Sequence, residues 1–260
     1  LKGFKKLLAN TVLLTSLQTS KKSLSSGKFE FNPFKYGFID TALISSVTAF
    51  NNSLSFNRFS PKWGVDLINQ RNNSKSLLTY GYETNRVNDW YLKWRKNIGR
   101  SFSILLNGKN GNRSLLTPRF ANRNYVLSSW YAEPTFIYIH GTKFRVVSSY
   151  KWEKKKNKPE YGGEKSLSNS VNLESKYNLL HNSSINAKFI FNNIDYKFPA
   201  NTTVSYVMLD GLLPGKNFIW SLGFTKRLMN NLDLNIQYDG RKAGIAPVVH
   251  TGRASLTALF

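Results

Sequence analysis

Apolar and polar residues alternate with a period of two along most of this chain. Leu232, Leu234, Ile236 and Tyr238 share one parity, and Asp233, Asn235 and Gln237 share the other. Ile185, Ala187, Phe189 and Phe191 stand opposite Asn186 and Lys188, and Phe144, Val146, Tyr150 and Trp152 stand opposite Arg145, Ser149 and Lys151. Trp90, Leu92 and Trp94 oppose Lys93 and Arg95, while Phe218, Trp220, Leu222 and Phe224 oppose Asn217, Ser221 and Thr225. Successive side chains of a strand point to opposite faces, so each segment reads as a strand with one apolar and one wet side. The pattern predicts strands over 10–20, 43–57, 61–69, 76–85, 89–96, 101–107, 124–139, 143–153, 166–178, 184–192, 202–209, 217–226, 231–239 and 248–260. Pro134 lacks a ladder donor and could divide 124–139 into two pieces.

No intervening segment carries helical periodicity, which argues against parallel βαβ units. Turn residues separate the strands: Asn107-Gly108, Asn110-Gly111, Gly162-Gly163, Pro214-Gly215, Asn230-Asn231 and Asp239-Gly240. On this reading the longest loops are 108–123 and 154–165, and Lys154, Lys155, Lys156 and Lys158 belong to a solvated loop. Long and short loops then alternate only roughly.

The expected fold is all-β, an antiparallel up-and-down transmembrane β-barrel of roughly 12–14 strands, with residues 1–260 as one domain. The alternative is a soluble β-sandwich, which also has one dry and one wet face. Three features favour the membrane. The strands are long for soluble sheets and match a tilted crossing. The apolar parity carries aromatics near strand ends (Trp63, Tyr82, Trp90, Tyr150, Trp152, Tyr177, Tyr238), as an interfacial girdle requires. The last strand alternates Gly252, Ala254, Leu256, Ala258 and Phe260 against Arg253, Ser255 and Thr257. No stretch approaches the roughly 20 apolar residues of a transmembrane helix.

Composition adds a basic surface to this picture. Lys and Arg number 37 against 14 Asp and Glu, a formal charge of +23, while 14% of residues are aromatic. A disordered basic tail would be poor in aromatics. Polyanions become plausible partners, among them lipopolysaccharide phosphates and anionic solutes. Nucleic acid is not expected, because the basic and aromatic residues occupy opposite parities whereas a stacking platform needs both on one side. There is no cysteine, which removes disulfides and thiolate metal sites. The chain begins at Leu1, and it is read as the C-terminal part of something longer.

No catalytic signature emerges, and neither an enzyme nor a cofactor is expected. His140, His181 and His250 lie at strand ends or turns without partners at metal-ligand spacing. The serines lack a Gly-x-Ser-x-Gly elbow. Asp66, Glu83, Glu153, Glu174 and Asp233 share the polar parity, where pairing with lysine and arginine is the ordinary role. The polar-face cations Lys93, Arg95, Arg145, Lys151, Lys176 and Lys188 form the candidate pore-lining set. They would favour anions if the lumen is open, or pair with those carboxylates if it is plugged.

The chain also resembles a known group of proteins. The segments VSYVMLDGLLPGKNF at 204–218, NLDL at 231–234, YDGRK at 238–242 and HTGRA at 250–254, with the closing Ala258-Leu259-Phe260, are similar to C-terminal regions of long, largely uncharacterised surface or outer-membrane proteins of Bacteroidota. YGGEK at 161–165, NLESKY at 172–177 and LTYGY at 78–82 look similar too. The resemblance implies the bacterial outer membrane and a preceding exposed region, and it implies no activity. Phe260 resembles the terminal signal read by the barrel-insertion machinery, although a bulkier companion than Ala258 is usual. Expected partners are outer-membrane lipid and lipopolysaccharide, that machinery and other envelope proteins. The leading functional expectation is a non-enzymatic membrane anchor, or the membrane portion of a larger envelope protein. The alternatives are an anion-selective pore or translocation channel, and a soluble β-sandwich binding a polyanion.

Overall fold

The computed structural model describes residues 3, 5, 9–23, 43–179, 182–229 and 232–258. Phe260 and His181 lie outside them. Twelve strands follow one another: β1 (Val12–Ser23), β2 (Leu43–Phe56), β3 (Trp63–Leu78), β4 (Gly81–Ile98), β5 (Phe102–Leu116), β6 (Tyr125–His140), β7 (Phe144–Asn157), β8 (Lys165–Leu179), β9 (Ser183–Tyr196), β10 (Gly215–Met229), β11 (Leu232–Ala243) and β12 (Val249–Ala258). They form one 12-stranded sheet in sequence order, with every described pair antiparallel. This is the all-β up-and-down meander the alternation predicts. Among the described residues β1 and β12 each pair on one side only.

Register sorts the side chains into two faces, because residues directly opposite in a ladder point the same way. One face carries Trp94, Leu106, Phe136, Tyr150, Leu173, Phe189, Leu222, Ile236 and Leu256. All seven aromatics expected at strand ends lie on it. The other carries Lys93, Asn107, Thr135, Lys151, Glu174, Lys188, Ser221 and Asn235. The second face is concave. Leu14 of β1 and Leu105 of β5 line one cavity on it, and Arg145 of β7 and Gln237 of β11 line another.

Burial runs inside out relative to a soluble sheet. Trp90, Leu92, Phe102, Phe136, Leu173 and Leu222 are exposed, whereas Asp89, Thr135, Glu153, Lys155 and Asn217 are buried. Of the buried apolar residues among those described, only Leu43 lies outside one cluster, formed by Tyr125, Leu127, Ile194, Tyr196, Val204, Met208 and Leu209. That cluster sits where the β9–β10 connection meets the concave wall.

The two ends of the sheet differ. One has the connections 57–62, 99–101, 141–143, 180–182 and 230–231. The other has 24–42, 79–80, 117–124, 158–164, 197–214 and 244–248. Apart from 79–80 and 244–248, the described connections at the second end are longer than those at the first, a cleaner segregation than the sequence predicts. Four corrections account for this. The predicted strands 61–69, 76–85 and 89–96 are two, β3 and β4, turning at Thr79-Tyr80. Residues 107–116 and 154–157 belong to β5 and β7, so 108–123 and 154–165 are not the longest loops. Asp239-Gly240 likewise lies within β11 rather than in a turn. Finally, the strand predicted over 202–209 is a helix, α1 (Thr203–Met208).

The helix follows from local chemistry. Thr202 Oγ1 accepts from the Ser205 amide at 3.0 Å, and Ser205 Oγ accepts from the Thr202 amide at 2.9 Å, a reciprocal capping box. Val204 and Met208, one helical turn apart, are buried, while Tyr206 between them is 72% exposed. A strand would have placed all three on one face. Pro134 does not divide β6. The strand runs on, and only its pairing with β7 lapses between Ala132–Trp152 and Thr135–Ser149.

Candidate functional site

The concave face is the candidate site, and it holds all six cations named from sequence. They fall into three groups. Lys93 and Arg95 on β4 line a cavity of about 600 Å³ with Asp66, Asn107 and Leu14. Arg95 Nη2 donates to the Ser60 carbonyl at 3.0 Å. Arg145, Lys176 and Lys188 line a second cavity of about 540 Å³ with Glu174, Asn186 and Gln237. Arg145 and Lys176 are direct cross-strand partners, which sets like charges side by side. Lys188 pairs with Glu174 at 2.7 Å.

Lys151 belongs to the third group, near the long-loop end. Its Nζ lies 2.9 Å from Glu153 Oε2, and Lys155 Nζ lies 3.7 Å from the same oxygen. Lys155 also reaches Asp210 Oδ1 at 2.7 Å, on the β9–β10 segment. Lys109 pairs with Asp89 at 2.9 Å, and Tyr91 Oη donates to Asp89 Oδ2 at 3.2 Å. Lys151 Nζ stands 4.8 Å from the Tyr131 ring centroid. Acid, cation and phenol therefore run in series across β4–β7, around a cavity of about 290 Å³ that Val207 and Asp210 help to line. A buried charge needs such partners, because leaving one unpaired costs several kcal/mol.

The 197–214 segment acts as a stopper at this end. Its apolar residues Val204, Met208 and Leu209 pack on Tyr125, Leu127, Ile194 and Tyr196 of the concave wall. Asp210 and Gly211 are both left-handed, at φ 52° and 75°, and they turn the chain sharply after α1. This places the Asp210 carboxylate against Lys155. The polar interior thus has an apolar seal at the long-loop end.

Sequence and structure agree on the placement of the six cations, and pairing divides them. Lys151 and Lys188 have carboxylate partners. Among the described residues, Lys93, Arg95, Arg145 and Lys176 have no carboxylate within ion-pair distance. The polar-face carboxylates do not gather into one cluster: Glu153, Glu174 and Asp233 pair locally, the last with Arg227 at 3.0 Å. Asp89, Lys109, Lys155 and Asp210 escape a reading of the sequence. Lys109 and Lys155 sit in stretches that look like loops, and Asp210 in one that looks like the end of a strand. The parity of Asp89 with Tyr91 and Lys93 was the available signal.

His250 is the second residue of β12, at the strand end that the sequence predicts. It lies on the apolar face, where its Nδ1 is 2.7 Å from Tyr238 Oη and its ring stacks on Tyr238.

No protein-family model matches the chain, and no curated protein sequence matches it. Among solved structures it is similar to the translocator domain of autotransporter NalP from Neisseria meningitidis. That likeness has a TM-score of 0.36 at 11% identity and covers 100% of this chain and 95% of that one. It is also similar to OmpT, an outer membrane protein of Vibrio cholerae, with a TM-score of 0.42 at 8% identity over 89% of this chain and 85% of that one. At such scores these likenesses add nothing to what register and burial establish: an all-β, 12-stranded up-and-down sheet with an apolar convex face and a basic, stoppered concave one.

Proposed function

We propose that this chain is a bacterial outer-membrane β-barrel that serves, without enzymatic activity of its own, as the membrane portion of a larger envelope protein. The inverted burial carries this reading. A sheet with Trp, Phe and Leu outward and Asp, Glu, Lys and Asn inward has the polarity that a hydrocarbon solvent demands.

The aromatic positions support it. Trp130 and Tyr138 on β6, and Phe144 and Trp152 on β7, are each eight positions apart on the convex face. Eight residues span about 26 Å along a strand, or roughly 20 Å after a tilt of about 40°. This is near the height of an apolar band between two interfacial girdles. Phe102, Tyr138, Phe144 and Tyr177 form a row of ring contacts at the short-turn end, and Trp130 meets Trp152 at 4.8 Å towards the other. Short turns face the periplasm in such proteins, so the stopper lies at the outer mouth. The Bacteroidota-like segments supply the setting within this reading.

The test is electrophoretic. The purified chain, folded in detergent or liposomes, should migrate differently before and after boiling and should need detergent to stay in solution. A chain that remains monomeric and folded without detergent would sink the proposal. A second reading, an anion-selective pore, draws on Lys93, Arg95, Arg145 and Lys176, which among the described residues have no carboxylate within ion-pair distance. Planar-bilayer conductance with chloride preference, lost on Lys93→Glu with Arg145→Glu, would favour it. An electrically silent protein would favour the stoppered anchor.

A further inference from the structure

The run Lys154-Lys155-Lys156 looks in the sequence like a solvated loop, but it is the end of β7 and its side chains alternate. Lys155 turns inward to Glu153 and Asp210 and is buried. Lys154 and Lys156 turn to the convex face and are exposed. Directly across the ladder from Lys156 stands Lys165 of β8, also exposed. Like charges directly opposite on a sheet destabilise it, and same-face neighbours on a strand are about 7 Å apart. Three exposed lysines therefore share one corner of the outer wall.

Among the described residues none of the three has an ion pair. The nearby Glu164 is engaged by Asn157, whose Nδ2 donates to it at 2.7 Å. Asp195 shares the convex face but lies on β9, opposite Leu167. Trp152 comes immediately below Lys154, towards the middle of the sheet, and meets Trp130 in edge contact at 4.8 Å. Trp130 is the ladder partner of Lys154. A tryptophan pair topped by lysines at the long-loop end places the charges just above the hydrocarbon boundary.

We infer that Lys154, Lys156 and Lys165 form a binding site for a phosphorylated lipid headgroup of the outer leaflet, with the acyl chains lying along Trp130 and Trp152. This rests on the membrane reading proposed above. The chemistry selects phosphate over carboxylate. A phosphomonoester carries close to two charges and three acceptor oxygens, enough to satisfy several ammonium donors at once.

The probe is diphosphoryl lipid A, titrated against the full chain in neutral micelles and read by native mass spectrometry. Wild type should bind it in a salt-sensitive manner and should bind the dephosphorylated lipid far more weakly. At about five-fold per lysine near a membrane surface, the triple variant Lys154→Gln/Lys156→Gln/Lys165→Gln should bind on the order of 100-fold more weakly. Lys93→Gln/Lys176→Gln on the concave face should bind like wild type. Equal binding by wild type and the triple variant, or indifference to the phosphates, would overturn the site. Competition by inorganic phosphate at equal concentration would assign the lysines to free phosphate and overturn the lipid. The boiling-dependent gel shift separates the two failures. If both proteins show it and bind equally, only this site falls. If neither shows it, the membrane reading falls with it.

Discussion

Lys155 Nζ lies 2.7 Å from Asp210 Oδ1, an ion pair that ties the β7 wall to the segment closing the interior. Lys155 is only 8% exposed, while the Asp210 side chain is 62% exposed. The wall residue therefore depends on this contact more than the segment does. Its other carboxylate partner, Glu153, is farther away at 3.7 Å and is shared with Lys151.

Asp210→Asn should loosen the stopper without unfolding the sheet. The lost charge-assisted bond is worth about 1–3 kcal/mol. Amides of α1 should exchange with solvent markedly faster, while those of β7 stay protected. Unchanged protection across 203–209 would mean that the apolar contacts alone hold the segment.

Met208→Asp attacks those contacts directly. Met208 is 3% exposed within the cluster of Tyr125, Leu127, Ile194 and Tyr196. An unpaired carboxylate there is costly enough to expel the segment from the wall. Single-channel recordings should show openings that wild type lacks. Silence in both would place a further barrier elsewhere in the lumen.

Two glycines of β5 give a paired test. A Cβ on Gly111 would fall 1.9 Å from Asp89 Oδ1, because the Asp89 carboxylate lies over this position to meet Lys109. On Gly108 the nearest atom would be a backbone oxygen at 3.8 Å. Gly111→Ala should cost about 1–3 kcal/mol in urea unfolding from liposomes. Gly108→Ala should be near neutral. Comparable losses would refute the placement of Asp89.

These contacts mark the limit of what the sequence discloses. Two-residue periodicity was legible because every strand borders two unlike solvents, and it put all six cations on the correct face. Strand ends were less legible. Asn107-Gly108 and Asn110-Gly111 have turn composition, yet they lie inside β5. There Gly111 makes room for Asp89, a reason set by the neighbouring strand rather than by local chain chemistry. Gly240 deceives in the same way: it pairs with Trp220, whose indole covers it, a Cβ there falling 2.2 Å from the ring. Helix α1 was hidden because Val204, Tyr206 and Met208 also fit an alternating pattern. Only the exposure of Tyr206 and the Thr202–Ser205 box tell the two apart.

The polarity of the two faces can be probed at different depths. Phe189 lies mid-strand on the convex face, opposite Leu173 and Trp220, and is 40% exposed. Phe189→Arg should cost about 2–4 kcal/mol, the penalty for a cation near the bilayer midplane. Leu234 shares that face but is the third residue of β11, close to the short-turn end. Arginine there can reach the interface, so Leu234→Arg should cost only about 0–1 kcal/mol. Both values are measurable by reversible denaturant unfolding from liposomes. Equal costs at the two sites would contradict the membrane depth assigned to β9, and tolerance of arginine at Phe189 would mean that the convex face meets water.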